Sequence, residues 1–433
     1  MKLVRMLLVV ALVLAFGRAL AQEPTAVTKP EQLGMSGARL QKQVDVYQGY
    51  IDSGNLPGAV LLVARGDRVA LFQAVGFQNR EKQTLMKTDA IFRLASMTKP
   101  IVSVAAMTLV EDGKLNLLAP VSAYLSEMAD VQVGVEKLDP INGKAILALE
   151  PQKRLMTVQD LMRHTAGLVY GQFGNGLVHQ AYREAHIGDR SDTLAQFITK
   201  LSKLPLAHQP GEVWEYSVAV DVLGRIIEVV SGEPLDKYIV EHVTGPLHMD
   251  ATDFYVQPEN LARLAEAQKG ADGTLPPLPD VTKKPNFLSG GGGLTASASD
   301  YPKFAEMMLN GGEYRGQRIL SPHTVQLMTS DALPPEIGYP APARQTTTRD
   351  LAPTPAMGQG FGLGFAVRTA PGRNPLPGSV GNFYWTGAWG TTFWVDPAEK
   401  LIAIQMIQVP LAEGGSYRQT FRELVYAALT GPE

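Results

Sequence analysis

Between Ile101 and Val110 the chain reads IVSVAAMTLV, apolar on every face of a helix rather than along one stripe. That pattern predicts a helix buried all round. Asp112-Gly113 ends it, with a glycine suited to a left-handed C-terminal cap. Upstream, Ser36 opens a helix whose apolar positions are Leu40, Val44, Tyr47 and Ile51, closed by Gly54. The runs Ala59–Ala64 and Val69–Phe72, turned by Gly66-Asp67, predict an antiparallel hairpin. Downstream, the reading from Asn116 to about Lys283 is helical with loops. Thr157 caps a short helix stopping near Gly167, a second runs from Ser191 to Leu201, and a third from Val218 to Val230 before Gly232. Ser289 and four glycines lead through Leu294 to a helix from Ser299, a tight turn returning to the core. Two more strands, Thr391–Val395 and Leu401–Met406, turn at Asp396-Pro397, and a helix from Ser416 to Leu429 closes the chain.

Strands at both ends with helices between them predict an α+β fold. An antiparallel sheet flanked by helices is built from about 35–115 and 284–433, with an all-helical subdomain inserted at about 116–283. Leu333–Gly360, rich in Pro, Thr and Ala, is the longest stretch without periodicity; it reads as a disordered insertion or a loop rimming a site.

Lys2 and Arg5, an apolar run from Met6 to Phe16, and Ala19-Leu20-Ala21 form a secretory signal, residues 1–21, cleaved after Ala21. The apolar run is too short to span a bilayer. Residues 22–433 then form one secreted or periplasmic domain. The net charge of −3 argues against a nucleic-acid partner. The chain has no cysteine, which excludes disulfides and thiol nucleophiles. Its seven histidines form no HExxH or other close cluster, so neither a metal nor any other cofactor is expected.

The chemistry gathers at Ser96-Met97-Thr98-Lys99, at the mouth of the buried helix. A serine hydroxyl is a weak nucleophile and needs a neighbouring base. Lysine three residues on lies on the same helical face, and becomes that base if burial and the helix dipole lower its pKa from about 10.4. The bland reading makes Ser96 an N-cap and Lys99 a solvated residue. Against it, no other serine in the chain has a lysine three positions later.

Two further stretches complete a pattern: Trp214-Glu215-Tyr216-Ser217-Val218, and Trp385-Thr386-Gly387-Ala388-Trp389-Gly390. With SxxK they resemble the SxxK, YxN and KTG motifs of the penicillin-recognising serine hydrolases. That superfamily of β-lactamase/transpeptidase fold includes class C β-lactamases, D,D-peptidases and, most similar in motif, the family VIII carboxylesterases. The resemblance runs from about Met35 to the C-terminus. It implies Ser96 as acylated nucleophile, Lys99 as its activating partner and Tyr216 as proton shuttle. The backbone N–H groups of Ser96 and Ala388 would form the oxyanion hole, and Trp385, Thr386 and Gly387 would bind substrate. A phenol beside an ammonium should have its pKa lowered, so that Tyr216 and Lys99 could trade one proton.

Two positions depart from the pattern. Val218 stands where YxN has asparagine, with Asp221 one turn on as a partial substitute or a mere cap. Trp385 stands where KTG has lysine, as in the family VIII esterases, so an apolar group rather than a cation meets the substrate. Arg344 or Arg349 could supply the missing charge. His164 has no GxSxG elbow to serve and reads as structural. The expected function is hydrolysis of small-molecule carboxylic esters. A class C-like β-lactamase or D,D-peptidase, another acyl transfer, and a non-catalytic ligand-binding relative are the alternatives.

Overall fold

The computed structural model describes residues 27–269, 273–275, 278–340, 353–410 and 414–431. The signal segment, Arg344 and Arg349 lie outside these residues.

Helix α1 (Gly37–Asp52) starts at Ser36, whose side chain accepts from the Arg39 N–H. It is followed by strands β1 (Gly58–Arg65), β2 (Arg68–Asn79) and β3 (Thr84–Leu85), then by α2 (Thr98–Glu111) and, in the inserted region, α3 (Ala219–Ser231). The C-terminal part supplies β4 (Gln359–Phe361), β5 (Ala366–Arg368), β6 (Phe383–Thr386), β7 (Thr392–Asp396), β8 (Leu401–Met406) and helix α4 (Gly414–Ala427). These strands make an eight-stranded sheet in the order β4-β5-β6-β7-β8-β1-β2-β3. The two chain ends meet in its middle, where β8 pairs antiparallel with β1 and Leu62 faces Ile404.

Every residue of β1 is buried, because the sheet is covered on both faces. Leu61 and Val63 pack with Tyr47 of α1 and Phe421 of α4, while Val60 and Leu62 join the core that holds Ile101 and Val104 of α2. A strand apolar at successive positions is what such a two-sided environment requires. Helix α2 is likewise buried around its circumference up to Met107.

The start of α2 is clamped by a second small sheet, in which Ile91–Arg93 pairs with Thr295–Ser297. The Leu94 N–H donates to the Leu294 carbonyl at 2.9 Å, and the Leu294 N–H donates to Thr98 Oγ1 at 3.0 Å. The glycine run therefore turns back into the core beside the buried helix.

The inserted region differs from the sequence expectation in one respect: it is not all helical. Val133–Leu138 and Ala145–Glu150 form an antiparallel hairpin, with Asn142-Gly143 in its turn and Gly143 at φ 68°. Asn-Gly favours such a turn because both residues tolerate positive φ. Two helix limits also move. The helix capped by Thr157 is Val158–Met162, and the one read from Ser191 starts at Leu194 on a Thr193 cap. Within Leu333–Gly360, the described residues run against the site. Gly338 exchanges backbone hydrogen bonds with Glu212 and Trp214, and Tyr339 donates to the Pro353 carbonyl at 2.8 Å.

Candidate active site

Ser96 lies in a single 3-10 turn, Ala95–Met97, that runs straight into α2. Ala95, just before it, holds a left-handed backbone at φ 47°. For a residue with a Cβ this costs on the order of 1–2 kcal/mol, which the clamped strand and helix on either side offset. The turn presents Ser96 beside the end of β6, while Lys99, one turn on, is 1 % exposed.

The Lys99 ammonium has three acceptors: Gly291 O at 2.6 Å, Tyr170 Oη at 3.0 Å and Ser96 Oγ at 3.3 Å. Three donors thus meet three oxygens, which orders the amine. Burial pushes the Lys99 pKa down to about 7, with the nearby Asp221 charge opposing. The expectation of a depressed lysine pKa is met on physical grounds.

Tyr216 precedes α3 and lies beside the Ser96 hydroxyl. Its pKa moves opposite to expectation: burial raises it above the usual phenol value, and the neighbouring Ser96 hydroxyl and Trp385 indole only partly oppose this. The Lys99 amine sits over the Tyr216 ring, 4.5 Å from its centroid, rather than on its hydroxyl. Lys99 and Tyr216 thus share no direct hydrogen bond in this structure.

Trp385, on β6, is 1 % exposed, and its indole N–H donates to Tyr216 Oη at 3.3 Å. Its ring packs on Tyr216 and Phe361, with centroids 5.3 Å away in both cases. The indole thus backs the tyrosine rather than standing open to solvent. Thr386 is buried beside it, and Gly387 follows where a Cβ would meet the Leu94 carbonyl at 2.2 Å. Only glycine lets the end of β6 approach the Ser96 turn so closely. The Ala388 N–H, next in the chain, has no hydrogen-bond partner among the described residues.

Tyr170 was not singled out from sequence. It lies on a loop of the insertion, without a motif around it, and reaches Lys99 only through the fold. Its side chain is partly buried, and desolvation of the phenol holds its pKa well above the usual value, so it stays neutral. Val218 is buried and brings no polar atom to Lys99. Asp221 is buried too and is more than a plain cap; it accepts from Ser289 Oγ at 2.6 Å and from the Gly291 N–H at 3.0 Å. His164 packs behind the site, its ring 4.9 Å from that of Tyr216 and its Nδ1 3.1 Å from Ser217 Oγ. Burial and the Lys99 charge hold His164 well below its ordinary pKa, so it is neutral.

A sheet closed by both chain ends, an SxxK at a buried helix start and a tyrosine from the insertion define a class. It is the serine β-lactamase and penicillin-binding-protein superfamily, which has carboxylesterase members. Within it, the beta-lactamase family model matches residues 44–426, and the chain belongs to that family. Protein Rv1367c of Mycobacterium tuberculosis is 36% identical, over 82% of this chain and 87% of its own length. Esterase EstB of Burkholderia gladioli is 30% identical, over 92% of this chain and 98% of its own. Among solved structures, EstCE1, a hydrolase with promiscuous acyltransferase activity, superposes with a TM-score of 0.74 at 28% identity. That match covers 90% of this chain and 99% of EstCE1.

Proposed function

We propose that the chain is an exported serine hydrolase that cleaves carboxylic esters through a covalent acyl-Ser96 intermediate. The observation that carries this reading is the Lys99 amine, 3.3 Å from Ser96 Oγ, with its pKa pushed down to about 7. Near neutral pH a large fraction of such lysine is unprotonated and able to act as a base. Lys99 accepts the Ser96 proton as Oγ attacks the ester carbonyl. The Ser96 and Ala388 N–H groups receive the negative charge on the carbonyl oxygen. When the tetrahedral adduct collapses, the C–O bond to the alcohol breaks. Tyr216 hands its proton to the departing oxygen and regains one from the Lys99 ammonium, which lies against its ring and is released from Ser96 Oγ once that oxygen is acylated. Because burial raises the Tyr216 pKa, the transfers are concerted and no free phenolate accumulates. Water then repeats the sequence on the acyl-enzyme and releases the acid. Replacement of water by an acceptor alcohol gives acyl transfer, a second reading that the described activity of EstCE1 favours.

The absence of an ammonium at Trp385 favours uncharged esters over anionic β-lactams. A charge-assisted hydrogen bond to a substrate carboxylate contributes about 1.5–3 kcal/mol, roughly ten- to a hundredfold in binding. The test combines labelling and turnover. A fluorophosphonate should modify Ser96, and Ser96→Ala should lower nitrophenyl butyrate hydrolysis by about 10⁴–10⁶. Activity within tenfold of wild type would overturn the nucleophile. Faster hydrolysis of a cephalosporin than of nitrophenyl butyrate by the wild type would replace the esterase reading with a β-lactamase. Export is tested by sequencing the N-terminus of the protein recovered outside the cytoplasm, which should begin at Gln22.

A further inference from the structure

Lys99 is held by a carbonyl of the glycine run, and that run is itself held by one acid. Asp221 Oδ1 receives both Ser289 Oγ, at 2.6 Å, and the Gly291 N–H, at 3.0 Å; the Gly291 carbonyl then receives Lys99 Nζ at 2.6 Å. A Cβ built on Gly291 would meet Asp221 Oδ2 at 2.5 Å and Tyr170 Oη at 2.8 Å. The second carboxylate oxygen and the Tyr170 hydroxyl thus crowd the same side of the turn, beside the amine. We propose that Asp221 is the positioning residue of this site: its carboxylate pins the Ser289–Gly291 turn on Lys99, and its negative charge balances the ammonium that forms when Ser96 loses its proton.

This rests on the reading of Ser96 and Lys99 as the acylating pair. It explains why Val218 is tolerated where related enzymes place an amide. An asparagine there would touch the lysine directly, whereas here the polar support comes from one turn further along α3, through the Gly291 backbone. The interaction between Asp221 and Lys99 is mutual: burial raises the Asp221 carboxyl above its ordinary pKa, and the ammonium opposes that by favouring the carboxylate. The other ionisable groups around Lys99 are neutral across the working range. Tyr170 and Tyr216 are both raised, and His164 is held low by burial. Asp221 is therefore the charge whose removal should change the titration of Lys99.

A carboxylate that only stitched the turn would behave differently from one that also balances the amine, and Asp221→Asn separates the two. The amide oxygen can still accept from Ser289 and Gly291, but the charge is gone. The readout is the second-order rate of fluorophosphonate labelling at Ser96 as a function of pH, followed by intact mass. Without the carboxylate the ammonium is less favoured, so the acidic midpoint should move down by about one pH unit. Labelling at the plateau should slow by about tenfold or more, because the ammonium formed during attack loses its counter-charge. A slower plateau with an unmoved midpoint, or an unchanged profile, would overturn the proposal. Should Asp221→Asn fail to fold, Ser289→Ala removes one of the carboxylate's two donors and keeps its charge. It should slow labelling about three- to tenfold, and an unchanged rate would count against the pinning role. Absence of labelling in the wild type would instead defeat the Ser96–Lys99 reading itself, so the two failures are distinct.

Discussion

At the scale of single residues, the site is governed by what burial does to charge. Lys99 and Tyr216 both lose water, and desolvation favours the neutral form of each. For the lysine this lowers the pKa to about 7; for the tyrosine it raises it. The amine is thus the group whose proton can come and go near neutrality, which makes Lys99 the base in the proposed reaction. Because the active form is unprotonated, kcat/KM should fall as pH drops below about 7 and level off above it. A profile that stays flat down to pH of about 5 would remove Lys99 from that role. Tyr170→Phe removes one of the three oxygens on the amine and leaves the ring. A hydrogen bond to a charged group contributes about 1.5–3 kcal/mol. The variant should therefore lose about ten- to a hundredfold in kcat/KM, with little change in Tm. Wild-type rates in this variant would reduce Tyr170 to packing. The sequence exposes Ser96 and Lys99 because they are near neighbours, one in the turn that runs into α2 and one in its first turn. It hides Tyr170, which lies 71 positions from Lys99 and enters from another element.

At the scale of elements, periodicity served where one face or both faces are buried. α3 has Val222, Leu223, Ile226 and Ile227 inside, and its left-handed Gly232 cap follows the pattern. The hairpin Val133–Glu150 escaped because several of its apolar residues point to solvent: Leu138 is 73% exposed and Ile141 93%. Inside-outside alternation is therefore weak there, and Asn142-Gly143 was the one signal that could have placed the turn. The glycine run was legible as a turn, but not as a wall of the site, since its part in chemistry is played by backbone atoms that any residue possesses. Gly291 is required by space rather than by dihedral angle. Gly291→Ala should push aside the buried Asp221 and the partly buried Tyr170, at about 1–3 kcal/mol in stability. The loss in ester turnover should exceed what that destabilisation implies, because both displaced groups support Lys99. Equal activity at a Tm lowered by a few degrees would show that the turn has room to adjust.

At the scale of the whole molecule, the architecture depends on the chain's two ends finding each other. β8 cannot complete the sheet until β1 is beside it, and α1 and α4 cover the same face from opposite ends of the sequence. Strand-like runs at both termini made this arrangement readable, whereas the residue that fastens it was not. Arg65, at the end of β1, is 2% exposed; its Nη1 donates to Leu33 O at 2.8 Å and to Gly431 O at 2.7 Å. The same guanidinium meets Glu399 Oε2 at 2.9 Å and the Glu399 carbonyl through Nε at 3.1 Å. One side chain thus ties the entry to α1, the turn before β8 and the residues after α4. In the sequence it is simply an arginine after six apolar residues, and nothing marks its carbonyl partners. Arg65→Met keeps the apolar stem and leaves one buried and several part-buried acceptors unpaired, each costing up to about 1–3 kcal/mol. The variant should lose about 3–5 kcal/mol of stability in total, with a lower denaturant midpoint. Since Arg65 has no contact with Ser96, Lys99 or Tyr216, the fraction that remains folded should turn over ester at the wild-type rate. A midpoint shifted by less than about 1 kcal/mol equivalent would show that the sheet pairing alone holds the termini. A normal midpoint with lost activity would mean instead that the closure reaches the site.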